Sequence, residues 1–512
     1  MMPTFRARSR GLVSALVVVA LLGGSWGASV GRAAPAAKSL PTINIALISD
    51  INTFDPAISA SFYDRQLMNN LFDKLFDLNS KGQIVPMLAT SYKVSKDHLT
   101  YTLALRKGVK FQDGTPFNAA AVKFNLDRYR QATSAPRATE LKLVDSVSAA
   151  GTYAVKIHLS EPFSPLLSIL TDRSGMMCSP KAVQDEGTNF ALHPVGSGPF
   201  SLQDRVKGDH ITLVRNAHYW RKGYPKAQQV VFKIFPDVNT QLVNLQSGQV
   251  DFIDSVSSQN VPSVQHDKSL RLIEKPGLGW GGFWLNAKAP ALSNRLVREA
   301  ISLLIDRTQY LKVIAGKTAV PGYSPFGPGD LAYGAWDKAP KVNLKAAQKL
   351  LAQAHASNVG FIFTTTTDPL ATQGAQIIQS MLQAGGITMK VQTENFPTIL
   401  DQLSKHNFEA AAVGWSGRPD PDQNSYNHFS TGGPNNYGQY SSATTDQYLN
   451  AGRRAVDNKK RKADYAKVAA QLTKDVPYVF LSHGNNSFGE KAKLKGFVYV
   501  PDGIIRAVGM TK

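Results

Sequence analysis

FIFTTTTDPLATQGAQIIQSMLQAGGITMKVQTENFPTILDQLSKHNFEAAAVGW, residues 361–415, decides the fold class. Phe361 to Thr366 reads as a strand, rich in β-branched and aromatic residues. Asp368-Pro369 then supplies an N-cap and a first helical residue whose missing N–H costs nothing there. Ile377, Ile378, Met381 and Leu382 form an apolar stripe at helical spacing. Gly385-Gly386 closes that helix, because glycine enters the left-handed region cheaply. Ile387 to Val391 alternates as a second strand, Pro397 to Lys405 is a short helix, and Phe408 to Val413 is a third strand. Strand, helix, strand, helix, strand predicts an α/β unit with a largely parallel sheet. Such sheets bind ligands at the carboxyl ends of their strands, and Gly414-Trp415 stands at one of those ends.

Working outward, the first third reads as strands. Leu99, Tyr101, Leu103 and Leu105 alternate with Thr100, Thr102 and Ala104, and Tyr153, Val155, Ile157 and Leu159 share one face. Gln112 to Pro116 carries turn chemistry, and Ala119 to Tyr129 has helical composition. A chain of 512 residues that is 43% hydrophobic can bury more than one core, and about two to four domains is the prior. No Pro-, Ser- or Gln-rich linker divides the sequence, and no internal repeat is visible.

At the N-terminus, Arg6, Arg8 and Arg10 precede an apolar run from Leu12 to Leu22 and then small residues from Gly23 to Ala37. That order is a cleavable secretory signal, assigned to residues 1–34, with cleavage near Ala28 or Ala34. No cysteine occurs in the first forty residues, so the expectation is a soluble periplasmic protein and not a lipoprotein. The single cysteine, Cys178, has no disulfide partner and reads as a small buried apolar residue. The formal charge is +20, and removing residues 1–34, with four arginines and no acid, leaves +16. The charges are scattered. The one dense cluster, Lys459 to Lys462, reads as a solvated helix start, and no nucleic-acid partner is expected.

Catalytic motifs are missing. Gly196-Ser197-Gly198 lacks the spacing of a nucleophile elbow. There is no phosphate-binding Gly-rich loop and no zinc-binding His pair, and the ten histidines are dispersed. The reading is therefore a binding protein, with no enzyme activity, cofactor or metal site; an exported hydrolase is the alternative of another class. Trp415, Ser416, Gly417, Arg418, Pro419, Asp420, Pro421 and Asp422 offer an aromatic wall, a guanidinium and two carboxylates on a rigid loop. They could orient a charged ligand, or Arg418 could pair with Asp420 or Asp422 and only stiffen the loop. Trp280 and Trp284, near Asn286, form a second aromatic group that either walls a ligand site or packs in the core. Asp50, Asn52, Thr53 and Asp55 are a third candidate, with turn and cap chemistry the reading preferred for Asp55.

The stretch LFDKLFDLNSKGQIVPMLATSYKVSKDHLTYTLALRKGVKFQDGTPFNAAAVKFNLDR (Leu71 to Arg128) resembles the family 5 extracellular solute-binding proteins. These are the dipeptide, oligopeptide and nickel-type components of ABC importers. GSGPF (Gly196 to Phe200), SGQVDFI (Ser247 to Ile253), LNAKAPALSNRLVREAISLLIDR (Leu285 to Arg307) and GWSGRPDPD (Gly414 to Asp422) follow in the family's order. The resemblance implies a two-lobe periplasmic-binding-protein-like clamp with an inserted subdomain in the first lobe. Lobe I would comprise residues 40–80, 195–284 and 482–512, the insertion 81–194 and lobe II 285–481, with hinge crossings near Phe283 to Asn286 and Ser482 to Asn485. It also implies a monomer that binds a peptide or peptide-like small molecule and delivers it to a membrane permease. A metal chelate, glutathione or an amino-acid conjugate is the alternative ligand. Two positions depart from the pattern. Ala121 stands where the family has an aspartate, with little functional loss expected. Dipeptide binders hold the ligand's amino terminus with an aspartate shortly after the Gly-Trp, about where Arg418 stands. They hold its carboxylate with an arginine where this chain has Thr367-Asp368.

Overall fold

The computed structural model describes residues 40–131, 136–334 and 342–512; the signal-peptide reading of residues 1–34 lies outside them. Leu40–Lys512 forms one compact unit. Its spine is the strand Tyr478–Lys491, fourteen residues long. Its first half pairs antiparallel with Gly281–Leu285, and its second half, from Asn485 on, with Leu270–Pro276. Two sheets therefore share one strand. Beyond Gly281–Leu285 the first sheet continues through Ala410–Ala411 and Gly360–Thr366 to Thr388–Glu394. The second continues through Phe252–Ile253, Thr42–Leu47, Gln229–Ile234 and His210–Arg215 to Phe200–Val206.

The α/β unit forms as its sequence dictates. Gly360–Thr366 pairs parallel with both Thr388–Glu394 and Ala410–Ala411. Asp368 caps the helix Pro369–Ala384, its Oδ1 accepting from the Ala371 N–H at 2.9 Å. Ala375, Ile378 and Leu382 bury its inner stripe. The residue in the left-handed region after this helix is Gly386 (φ +86°), not Gly385. The third strand is shorter than the hydrophobic run suggested, because pairing stops at Ala411, before the chain turns through Gly414.

Thr100–Leu105 and Ala154–Leu159 lie in a separate four-stranded antiparallel sheet, between Ala89–Val94 and Val144–Ala149. The alternation works as expected, with Tyr101, Leu103 and Leu105 facing one core together with Val155, Ile157 and Leu159. The helix Ala119–Gln131 covers that face with Val122, Leu126 and Tyr129. At the position of the missing family aspartate, Asn118 does the capping: its side chain accepts from the Ala121 N–H at 3.0 Å. Cys178 is fully buried, and burial pushes its thiol up to about 12. The cluster at Lys459 to Lys462 is only partly the solvated helix start it seemed. It opens the helix Asn458–Asp475, but Arg461 turns inward to Asp420 at 2.7 Å.

Candidate functional site

The strands of the parallel unit end at Thr366, Glu394 and Ala411, and their ends wall two adjoining cavities. The inner cavity is small, ≈ 50 Å³, room for a few waters. The outer one, ≈ 470 Å³, is large enough for the body of a small solute. Phe396, Val413 and Gly414 line both.

Helix Phe62–Leu71 brings the opposite wall. Ser61 caps it by accepting from the Tyr63 N–H, which sets Arg65 on the face toward the inner cavity. Arg173 opens a short 3-10 turn, Arg173–Gly175, just after Asp172. Arg418 comes from the loop after Gly414-Trp415. That loop is held in place by main-chain pairing of Trp415 with Trp280, at 2.8 and 3.0 Å. The approach is too close for side chains: a Cβ on Gly279 would stand 2.1 Å from the Trp415 carbonyl oxygen. Gly417 adopts φ +78°, where a non-glycine residue is strained.

Arg65, Arg173 and Arg418 all line the inner cavity and are at most 3% exposed. Behind them lies Asp172. It accepts from Arg65 Nε at 3.0 Å and from Arg418 Nε, with Arg173 Nε 3.8 Å away. Burial by itself would raise the Asp172 carboxyl, but Arg418, Arg65 and Arg173 outweigh it and hold it well below the usual carboxylate range. Arg418 is pushed the other way, by burial first and then by Arg65. Three guanidinium groups thus share one dedicated carboxylate, and no carboxylate lines the inner cavity itself. Among the described residues Arg173 Nε has no hydrogen-bond partner, a costly state for a buried donor. Trp415 stacks beneath Arg418, whose guanidinium carbon lies 4.4 Å from the ring centre. His428 also faces the cavity. Burial, and secondarily Arg418, lowers it to about 3, so the ring is neutral.

The outer cavity has the opposite character. Its carboxylates are Asp50 and Asp368. Asp50 is saturated by the N–H groups of Ile51 and Gly208 and by Arg205 at 3.1 Å.

The residues singled out in the sequence therefore separate. Trp415 and Arg418 meet in the inner cavity with Trp280 and Trp284, which are also core residues packed on Tyr478. Arg418 pairs with neither of its neighbouring acids. Asp420 caps the helix Pro421–Phe429 and binds Arg461; Asp422 forms a two-bond pair with Arg453, 3.1 Å at each contact. Both acids are engaged in bracing helices, and neither lines the two cavities. Asn286 also stands apart: its amide donates to the carbonyls of His406 and Phe408, tying loops at another groove. Asn52 is exposed, and only its backbone N–H is engaged, by Asp64. Asp55 accepts from Ala57 N–H, as turn chemistry requires, and also pairs with Arg128. Sequence reading missed Arg65, Asp172, Arg173, His428 and Asp368 as site residues. One signal was available: Asp172-Arg173 sits in LSILTDRSGMM (Leu167 to Met177), a charged pair inside an apolar run.

The sequence model for bacterial extracellular solute-binding proteins, family 5, matches residues 83–437. The chain belongs to this family. The glutathione-binding protein GsiB of Escherichia coli O1:K1 is 31% identical over 369 residues, 71% of this chain and 72% of that one. Among solved structures, the ABC transporter-associated periplasmic binding protein DppA of Helicobacter pylori, in complex with the peptide STSA, superposes with a TM-score of 0.85. It is 26% identical and covers 92% of this chain and 98% of its own. A dipeptide-binding protein of Pseudoalteromonas sp. SM9913, in complex with Met-Leu, shares the fold at a TM-score of 0.86 and 20% identity, covering 92% of this chain and 100% of its own. The architecture is that of a two-lobe periplasmic binding protein, α/β in class.

Proposed function

We propose that this family 5 protein is the periplasmic component of an ABC importer, and that it captures a peptide-like solute through a carboxylate. The observation that carries the reading is the inner cavity: three buried guanidinium groups, no lining carboxylate and walls of tryptophan. An anion entering it finds donors already oriented and little water to displace, the condition in which charge-assisted hydrogen bonds are strongest. GsiB is named for glutathione and the DppA structure holds a tetrapeptide. Both are peptide-like compounds with free carboxylates, so a peptide or γ-glutamyl peptide is the ligand class this chain is built for.

The binding cycle follows from the two-lobe architecture. We assign residues 40–80, 195–284 and 482–512 to lobe I, with 81–194 as its insertion, and 285–481 to lobe II. Arg65 and Arg173 then come from one side of the cleft and Arg418 and Trp415 from the other. A ligand that bridges them favours the closed form, which docks on the permease. Export by a signal peptide within residues 1–34, absence of a lipid anchor and a monomeric state complete the proposal; no nucleic acid enters it.

Native mass spectrometry of protein purified without denaturant tests the reading. The expected result is a discrete mass, released on unfolding, that corresponds to a compound with at least one carboxylate. A protein that is empty, is stabilised by no peptide, glutathione or metal chelate in a thermal-shift screen, and turns over peptides or esters would replace it with the exported hydrolase.

A further inference from the structure

The outer cavity differs from the inner one in what it leaves free. Ser49, Asp50, Asp368 and Asn395 are engaged within its wall. Asp50 accepts from the N–H groups of Ile51 and Gly208 and from Arg205. Asp368 spends Oδ1 on capping the helix Pro369–Ala384, and its Oδ2 is sealed off from solvent. Asn395 caps the helix Phe396–Ser404, its Oδ1 accepting from the Thr398 N–H at 3.0 Å and from the Thr398 hydroxyl at 2.8 Å. The Ser49 hydroxyl donates to the Asp50 carbonyl at 3.2 Å. Among the described residues, no lysine, arginine or histidine lines this cavity. What stays open to an occupant is apolar. Ile48, Tyr63, Phe396 and Pro397 line the space and are only half-buried. The rings of Tyr63 and Phe396 pack edge to face, with centres 5.6 Å apart, and present one continuous aromatic surface. Such a surface gains most from an occupant that leaves water with it.

We infer that the ligand is a monocarboxylate with an apolar body: its carboxylate lies in the inner cavity at Arg65, Arg173 and Arg418, and its apolar part fills the outer one. The inference rests on the carboxylate-binding reading above and adds the chemistry of the rest of the ligand. The two cavities adjoin at Phe396, Val413 and Gly414, so one small molecule can lie across both. At ≈ 470 Å³ the outer cavity has room for a bulky side chain or a short acyl chain. A second carboxylate placed there would meet Asp50 and Asp368 on the wall and no cation to answer it. The cleft therefore selects between the two peptide-like classes. An apolar peptide or an acylated amino acid suits both cavities, whereas glutathione brings a second carboxylate and little apolar surface.

The test is calorimetric, with Leu-Leu-Leu, Asn-Asn-Asn, Leu-Leu-Leu amide and glutathione, on wild type and Ile48→Asn. Leucine and asparagine side chains have nearly the same shape, so the first two peptides differ chiefly in polarity. Burying one leucine-sized side chain is worth about tenfold to a hundredfold in affinity. Wild type is expected to prefer Leu-Leu-Leu by that order over Asn-Asn-Asn, and to bind it more tightly than glutathione. Ile48 lines the outer cavity alone, and its replacement by asparagine is expected to cut the leucine preference several-fold. The penalty for the amide, which reads the inner cavity, stays as it was. Binding of Asn-Asn-Asn or glutathione by wild type as tight as that of Leu-Leu-Leu overturns the inference, and an amide penalty in the same experiment leaves the carboxylate-binding reading in place. A leucine preference untouched in Ile48→Asn also overturns it, because the apolar part then lies elsewhere. A leucine preference with no amide penalty sinks the carboxylate-binding reading and the inference with it, as does binding by no probe at all. If Ile48→Asn does not fold, the wild-type comparison of the two peptides decides.

Discussion

Two arginine–aspartate clusters begin within four residues of each other and are built on different principles. Asp420 and Asp422 each face one arginine, Arg461 and Arg453. Charges balance, Tyr465 donates to Asp422 at 3.2 Å, and the arginine of the second pair lies on the Tyr426 ring at 3.4 Å. Arg418 instead joins Arg65 and Arg173 around one directly paired carboxylate, Asp172, next to a cavity, with Glu140, Asp64 and Asp502 acting on them from further off. A buried pair that is complete holds helices together; a buried cluster short of an anion is, in the function proposed above, the part that a ligand completes. Stoichiometry, more than residue type, separates scaffold from site.

The comparison breaks most visibly at Asp422→Ala. It strands Arg453 in the interior, and losing one partner of a buried pair costs about 3–5 kcal/mol. A drop of that size in urea unfolding is expected, with affinity per folded molecule retained. Arg418→Met should do the opposite. Asp172 keeps Arg65, so stability changes little, while affinity for a carboxylate-bearing probe such as glutathione falls by about 1.5–3 kcal/mol, read by calorimetry. Equal losses of stability in the two variants would erase the distinction. Asp172→Asn sharpens it: with the only dedicated carboxylate neutralised, the three arginines repel, the unliganded protein melts lower, and the same probe raises the melting temperature by more than in wild type.

The smallest effect is a pH slope. Burial raises Asp254, Asp73 and Asp330 to about 7 each. A carboxyl raised by folding contributes its stability fully below its unfolded value of 3.8 and loses it as pH rises through about 7. Asp172, held low, works the other way: its stabilisation is fully present above 3.8 and is lost only as pH falls well below that value. Melting temperature should therefore fall between pH 4 and 7, and Asp254→Asn, which keeps the 3.0 Å partner Gln241, should flatten the slope by roughly a third of the three-carboxyl effect. A flat wild-type profile would show that these carboxyls are not raised.

Much of the fold was legible because its signals are local. Period-two alternation in Thr100–Leu105 and the Asp368-Pro369 cap need only a few neighbouring residues to be read. The candidate site was legible at Trp415 and Arg418, where loop chemistry follows a strand, and misleading two residues later, where Asp420 and Asp422 look equally available. Their partners Arg461 and Arg453 lie 41 and 31 residues on. Asp172 meets Arg65 and Arg418 across 107 and 246 residues. No periodicity records a pairing at that distance, so the shortage of anions that marks the cavity exists only in three dimensions. Asp368 was read correctly as a cap; that its second oxygen stays idle is a fact of packing.

Three of the chain's six tryptophans, Trp280, Trp284 and Trp415, border the inner cavity, and Trp415 has Arg418 over one side and the His428 ring centre 4.4 Å away. Indole emission shifts with the field across the ring and is quenched by electron-poor neighbours. An arriving anion that redistributes the charge of Arg418 changes that field at once. The protein thus carries its own optical gauge of occupancy, readable without a label on the timescale of a stopped-flow trace.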